Sequence, residues 1–356
     1  MIDLALIFGG RSAEHEVSLA SARSVAVALD PERYRVVPVG ITPEGRWLLV
    51  DDFAAAVRDG LAASPSRPVA LPADPTRPGL QTEDGETIPL DVAFPILHGT
   101  YGEDGTIQGL FELADLPYAG AGVAASAVSM DKELMKAVLA QAGLPQVDYL
   151  VLREGGGDLD AALAAVAARF AYPVFVKPVN LGSSVGISKA HDRAELRAAL
   201  ELAFAYDRKV IVEAFADARE IECGVIGNDR PEVSVAAEVT SVNEFYDYES
   251  KYTDGMMAFA IPADLTAGQA DEVRRLAARV FTAVDCAGYA RCDFFLERGS
   301  GRVLVNEINT IPGMTDMSGF PKVWAASGVP YPELADRLVA LALERHAARR
   351  RLRTSR

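Results

Sequence analysis

Val174-Phe175-Val176-Lys177-Pro178-Val179-Asn180-Leu181-Gly182-Ser183-Ser184-Val185-Gly186-Ile187-Ser188-Lys189 reads as two strands, Val174–Lys177 and Val185–Lys189, flanking a glycine–serine loop. A lysine at a strand end before such a loop suits a phosphate. Glycines let backbone N–H groups approach the anion, hydroxyls donate, and the ammonium neutralises charge. The Walker pattern GxxxxGK(S/T) is absent, which sets aside the P-loop fold. Gly182–Gly186 also matches the GxSxG elbow of serine hydrolases, but that motif needs a tight turn from strand into helix. Here Pro178 and further loop residues intervene, and the chain returns to strand.

Outward from this loop, the strand Tyr149–Leu152, the helices Leu159–Arg169 and Glu195–Ala205, and the strand Val210–Glu213 form a small α+β unit ending near Asp217. Before it, strands at Leu4–Phe8, Tyr34–Ile41, Trp47–Val50 and Val92–Leu97 alternate with helices. One of these runs from about Ser18 to Leu29. The pattern predicts an open parallel sheet with helices on both faces. Ser64–Pro89 is rich in Pro, Thr and Asp and reads as a loop or hairpin. Gly120 and Gly122 precede a helix at Lys132–Ala142. After the central unit come strands at Ile221–Ile226 and Val233–Val239, a helix at Ala267–Ala287, and a hairpin turning at Arg298–Arg302.

That hairpin carries the second cluster of chemistry. Arg291 and Asp293 lie two apart in Tyr289–Leu296 and so share a strand face, as do Glu307 and Asn309 in Val303–Asn309. Two carboxylates and an amide on one surface suit magnesium, which takes one or two carboxylates plus substrate phosphates. A solvated face with an ion pair is the alternative, and these four residues alone do not decide it. A third group follows the N-terminal strands: Glu14, His15, Glu16 and Ser18 after Gly9-Gly10, and His98–Gly105. Ligands of open sheets bind outside the carboxyl ends of such strands. Glu16 near a helix start is equally a first-turn acid, and His98 equally a turn residue.

The formal net charge of −15 argues against a nucleic-acid partner, which needs a basic footprint. Any phosphate site must then be built from local cations, and only seven lysines are present: 132, 136, 177, 189, 209, 251 and 322. Cys223, Cys286 and Cys292 have neither metal-ligand nor disulfide spacing and read as buried apolar groups. No apolar run reaches membrane-spanning length, so a cytoplasmic protein without a membrane partner is expected.

Six segments in order resemble the D-alanine–D-alanine ligases of the ATP-grasp superfamily: Phe8–Gly10 with Glu14–Ser18, His98–Gly105, Ser129–Lys132, Lys177–Gly186, Phe245–Tyr252, and Asn306–Thr315 (NEINTIPGMT). The resemblance implies a three-domain ATP-grasp fold, α/β and α+β. Its parts would be an N-terminal Rossmann-like domain (1–123), central (124–217) and C-terminal (218–348) ATP-grasp subdomains, and a basic tail (349–356). It implies ATP-binding by Lys132, Lys177, Lys251, Gly182, Ser183 and Ser184, with Glu213 and Glu220 near adenine and ribose. Ala214 stands where relatives often carry lysine. Two magnesium ions, with manganese as a substitute, would be held by Asp293, Glu307 and Asn309, and potassium could activate.

Two D-alanines would be joined through an acylphosphate, with Arg291 and the Gly313 backbone N–H at the oxyanion. Glu16 would bind the first ammonium, His98 would lie near its carboxylate, and Ser318 would hold the second carboxylate. Ser183 and Tyr252 would hydrogen-bond with Glu16 and close a loop over the site. The resemblance also suggests a homodimer. A D-alanine–D-lactate ligase, discriminated at Tyr252, and a non-catalytic ATP-binding module are the competing readings.

Overall fold

The computed structural model describes residues 1–156, 158–182, 185–241 and 257–353. The first unit contains β1 (Ile2–Gly9), α1 (His15–Ala28), β2 (Tyr34–Ile41), β3 (Trp47–Val50) and α2 (Phe53–Asp59). It continues through β4 (Ser66–Ala70), β5 (Leu80–Thr82), β6 (Thr87–Ile88), β7 (Val92–Ile96) and α3 (Thr106–Leu113). Its strands lie in the order β6-β5-β4-β3-β2-β1-β7. The expected parallel pairing holds for β2–β1–β7, whereas β3 to β6 extend the sheet in antiparallel fashion. Connection length dictates this. Residues 42–46 between β2 and β3 are too few for a parallel crossover, which takes about a dozen. Within Ser64–Pro89, β4, β5 and β6 form short antiparallel strands, as the hairpin reading expected.

Two short helices follow, α4 (Val123–Met130) and α5 (Lys132–Gln141). The first was not expected from the sequence. The break between them falls at Asp131, whose Oδ1 accepts from the N–H groups of Glu133 and Leu134, both at 3.1 Å. Such an N-cap satisfies donors that have no intrahelical partner. The central sheet is antiparallel, with β8 (Tyr149–Arg153), β9 (Val174–Pro178), β10 (Ser188–Ala190) and β11 (Lys209–Ala214) in the order β10-β9-β11-β8. The helices α6 (Leu159–Arg169) and α7 (Arg193–Tyr206) cover it.

The third sheet holds β12 (Ala218–Gly227), β13 (Glu232–Ser241), β14 (Met257–Ala260), β15 (Gly288–Glu297) and β16 (Val303–Asn309), ordered β14-β13-β12-β15-β16. Its helices are α8 (Ala267–Ala283), α9 (Gly319–Ala326) and α10 (Tyr331–Arg350). α10 runs through Arg349 and Arg350, so the basic stretch expected as a tail from 349 begins inside a helix. Arg349 there pairs with Glu112.

The cores do not follow chain order. Leu4, Leu6, Phe8 and Phe94 of the first sheet pack in one cluster with Tyr289, Phe320, Trp324 and Leu338 of the last third of the chain. Ala125 of α4 and Met135 and Leu139 of α5 join the other face of the third sheet, with Cys223, Val225, Phe281 and Cys292. By packing, residues 124–141 therefore belong with the third sheet rather than with the central unit, where the sequence expectation put them. The central unit has its own core of Leu163, Val176, Leu196, Leu200, Val210 and Val212. Among the described residues, no helix is long and apolar enough to cross a membrane.

Candidate active site

A cavity of about 780 Å³ opens where the three units meet. Glu14, His98, Lys132, Gly182, Glu222, Arg291, Glu307, Asn309, Gly313 and Ser318 all lie on its wall.

The strand period of two does what the sequence expected of the hairpin. Arg291 stands opposite Asn309, and Asp293 opposite Glu307. The Arg291 guanidinium donates to both Asp293 oxygens, Nε to Oδ1 at 2.7 Å and Nη2 to Oδ2 at 2.6 Å. β12 adds Glu222, which pairs in register with Asp293 and lies 3.5 Å from Arg291 Nε. Asp293 and Glu307 face one another, with the Asn309 amide one position along. This hard-oxygen set fits magnesium, which completes its shell with phosphate and water. Among the described residues no cluster of three His, Cys, Asp or Glu side chains forms a ready metal site.

The lysines are buried and placed by charge. Glu213 sits between two ammoniums, Lys136 Nζ at 2.8 Å and Lys177 Nζ at 2.6 Å. Burial pushes the Glu213 carboxyl up, but Lys136 and Lys177 outweigh it and hold the pKa well below the usual carboxylate range. Burial likewise opposes the Lys177 charge, and Glu213, then Glu307 and Glu220, overcome it and raise its pKa. Lys177 thus stays a cation behind the cavity wall. Lys132 Nζ donates to the Leu181 carbonyl at 2.6 Å, which ties α5 to the glycine–serine loop. Glu213, Glu220, Lys177 and Asp293 are not on the wall.

At the N-terminal end, His98 is buried and both ring nitrogens are engaged. Nδ1 lies 2.9 Å from the Ile311 carbonyl, and Nε2 lies 3.1 Å from Ser21 Oγ. A carbonyl only accepts, so Nδ1 carries the proton and the Ser21 hydroxyl donates to Nε2. Burial lowers the His98 pKa, partly offset by the Glu14 charge, which keeps the ring neutral. Glu103 accepts from Gly99 N at 2.7 Å and Ile311 N at 3.2 Å. Burial, and then the Glu14 charge, push its pKa up to about 8. These contacts fix the Ile311–Met314 segment, and with it Gly313, against the carboxyl end of the first sheet.

The structure separates the two N-terminal glutamates. Glu14 is buried on the cavity wall, close to Gly99 and Gly182. Gly99 has φ +73°, and a Cβ there would lie 2.5 Å from Glu14 Oε2, so a side chain would be strained and would push Glu14 aside. Glu16 is exposed and off the wall. Glu16 comes from the resemblance, and the helix, expected from about Ser18, starts at His15. Extended back, the helical stripe 14, 18, 21, 25 is buried and 16, 20, 23, 27 is exposed. The same logic would have found Lys136, one turn after Lys132. It would also have found Glu222, which shares a strand face with Glu220. Ser183, Ser184, Lys251 and Tyr252 lie outside the described residues.

The family profile described as "D-ala D-ala ligase N-terminus" matches residues 3–121, and that described as "D-ala D-ala ligase C-terminus" matches residues 138–340. The chain belongs to the D-alanine–D-alanine ligase family. It is 49% identical over 344 residues to a D-alanine–D-alanine ligase of Solibacter usitatus, with 96% of each chain covered. It is 48% identical over 358 residues to that of Heliobacterium modesticaldum, covering 99% of this chain and 98% of the relative. Among solved structures, the D-alanine–D-alanine ligase from Coxiella burnetii superposes with a TM-score of 0.85 at 35% identity, covering 98% of this chain and 96% of its own. The VanG D-Ala:D-Ser ligase from Enterococcus faecalis gives 0.88 at 34% identity, covering 96% and 99%. The three-sheet arrangement is thus the ATP-grasp fold of these ligases.

Proposed function

We propose that the cavity is where this ligase assembles ATP and two D-alanine molecules, and that the residues on its wall divide the work. The chain is an ADP-forming ligase that makes D-alanyl-D-alanine for peptidoglycan precursor synthesis. The observation that carries the assignment of roles is the convergence, in one cavity, of Glu14, Lys132, Arg291, Glu307, Asn309 and Gly313 from all parts of the chain.

Glu14, not Glu16, binds the ammonium of the first D-alanine, with neutral His98 beside it. Lys132 and Lys177 meet the phosphates of ATP, with Gly182 on the wall beside them. Asp293, Glu307 and Asn309 hold magnesium, which when bound neutralises charge on the transferring phosphoryl group. The first carboxylate attacks the γ-phosphate, ADP leaves, and the second amine displaces phosphate from the acyl carbon. Arg291 and the Gly313 N–H stabilise the oxyanion of that second step. Ser318 holds the second carboxylate. Manganese in place of magnesium, activation by potassium, a homodimer and a cytoplasmic site of action belong to the same proposal.

Phosphate release with ATP, magnesium and D-alanine, and none with L-alanine, tests the activity. Glu14→Gln and Glu16→Gln test the roles. The first loses a hydrogen bond to a charged group and should raise the KM for the first D-alanine about 10- to 100-fold. The second should stay within about twofold, since the side chain is exposed. Equal effects from both would remove the assignment.

A further inference from the structure

Glu222 has no part in the roles above, yet it is buried on the cavity wall. On one side its carboxylate lies 3.5 Å from Arg291 Nε. On the other it meets the start of α9. A Cβ placed on Gly319 would lie 3.1 Å from Glu222 Oε2 and 2.9 Å from the Phe259 ring. Glu222 therefore spans the gap between the guanidinium assigned to the oxyanion and the helix start assigned to the second carboxylate. An amino acid whose carboxylate rests at Ser318 must carry its nitrogen through that gap to reach an acyl carbon beside Arg291. Arg291 faces two carboxylates, Asp293 and Glu222, and a carboxylate in that gap suits the ammonium of such an amino acid.

We propose that Glu222 is the acceptor-recognition residue. Its carboxylate binds the ammonium of the incoming amino acid and thereby favours an amine acceptor over a neutral hydroxyl one. Gly319, without a Cβ, keeps the passage between Glu222 and Phe259 open. The assignment rests on the ligation of D-alanines proposed above.

The two steps can be separated with Glu222→Gln, which keeps shape and removes charge. Hydroxylamine is uncharged at neutral pH and traps the acylphosphate as a hydroxamate without needing an ammonium site. Hydroxamate formation from ATP, magnesium and D-alanine should stay within about twofold of wild type. Dipeptide formation at limiting acceptor should fall at least about tenfold, as for a lost hydrogen bond to a charged group. In a mixture of D-alanine and D-lactate, the depsipeptide-to-dipeptide ratio should rise by a similar factor, and that ratio does not depend on how much protein is folded. Glu222→Asp, which keeps the charge, should retain most of the amine preference. A parallel fall of hydroxamate and dipeptide would overturn the proposal, because Glu222 would then act only by holding Arg291. So would an unchanged product ratio, or an Asp variant no better than the Gln variant. Wild-type protein that yields no hydroxamate would instead remove the ligase reading itself.

Discussion

Two seams hold the three units together, and they are made of different materials. Between the first and third sheets the seam is apolar. Phe94, Tyr289 and Phe320 are drawn from β7, β15 and α9, with ring centroids 6.4 Å apart for the first pair and 5.7 Å for the second. Between the central unit and α5 the contacts are polar: Lys136 with Glu213, Lys209 with Asp131 and Glu133, Arg153 with Glu133, and Lys132 with the Leu181 carbonyl. An apolar seam exposes its side chains to water if it opens, whereas ions and amides can be rehydrated. The wall with Glu14, His98, Arg291 and Gly313 is therefore expected to behave as one firm body. The wall with Gly182 belongs to the unit expected to part from it first. A ligase that admits ATP and then shields an acylphosphate from water needs that inequality.

The contrast is sharpest in core truncations. Tyr289→Ala should cost about 3–5 kcal/mol, and Leu200→Ala in the central core about 2–5 kcal/mol. Hydrogen exchange should show β1 and β12 losing protection together in the first variant, and β9 and β11 alone in the second. If either change lowers protection equally in all three sheets, the two cores are one cooperative unit and the comparison fails.

Glu213→Gln probes the polar seam. It leaves Lys136 and Lys177 facing each other without their carboxylate, which should cost about 3–5 kcal/mol and speed exchange in the central sheet. In wild type the Glu213 pKa is depressed below its ordinary 4.5. Its stabilisation is therefore present above pH 4.5 and is lost as the pH falls below that value. Central-sheet protection that is flat from pH 7 to 3 would exclude this account.

The smallest effect lies at Glu103, which bridges Gly99 of the first unit and Ile311 of the third. Its folded pKa of about 8 lies above the ordinary 4.5. The protonated side chain thus contributes stability that is full below pH 4.5 and fades as the pH rises through 8. Glu103→Gln removes the titrating group, so its stability does not fade with pH, although its amide nitrogen cannot accept from the second N–H. Its melting temperature relative to wild type should be higher at pH 9 than at pH 6. No change in that difference would mean that the carboxyl is ionised throughout.

What the sequence made legible follows from its periodicities. Strands repeat every two residues, so Arg291 with Asp293, and Glu307 with Asn309, could be placed on one face before their register was seen. Helices repeat every 3.6, and the stripe is only as good as the starting residue. Starting α1 three residues earlier, at His15, brings Glu14 onto the buried stripe and leaves Glu16 off it. Charge pairs between distant elements, such as Lys136 with Glu213, leave no local signal at all. The antiparallel β3–β6 extension was readable from connection length, but the Pro-, Thr- and Asp-rich composition of residues 64–89 masked it. The packing of α4 and α5 on the third sheet was not readable, because helices of only 8 and 10 residues fit either neighbour.

The firm body is also closed out of order. Leu334, Ala335, Leu338, Val339 and Ala342 of α10 share a core with Leu4, Leu6, Leu19 and Phe94. A ribosome delivers the first sheet and α1 more than two hundred residues before it delivers that helix. Through most of synthesis the apolar face that α10 will cover has no permanent partner, and it is finished only when the last helix emerges. A nascent chain stalled after α9 would carry a complete central unit beside an unfinished first one. The first sheet, made more than two hundred residues before α10, is sealed only once that helix has emerged.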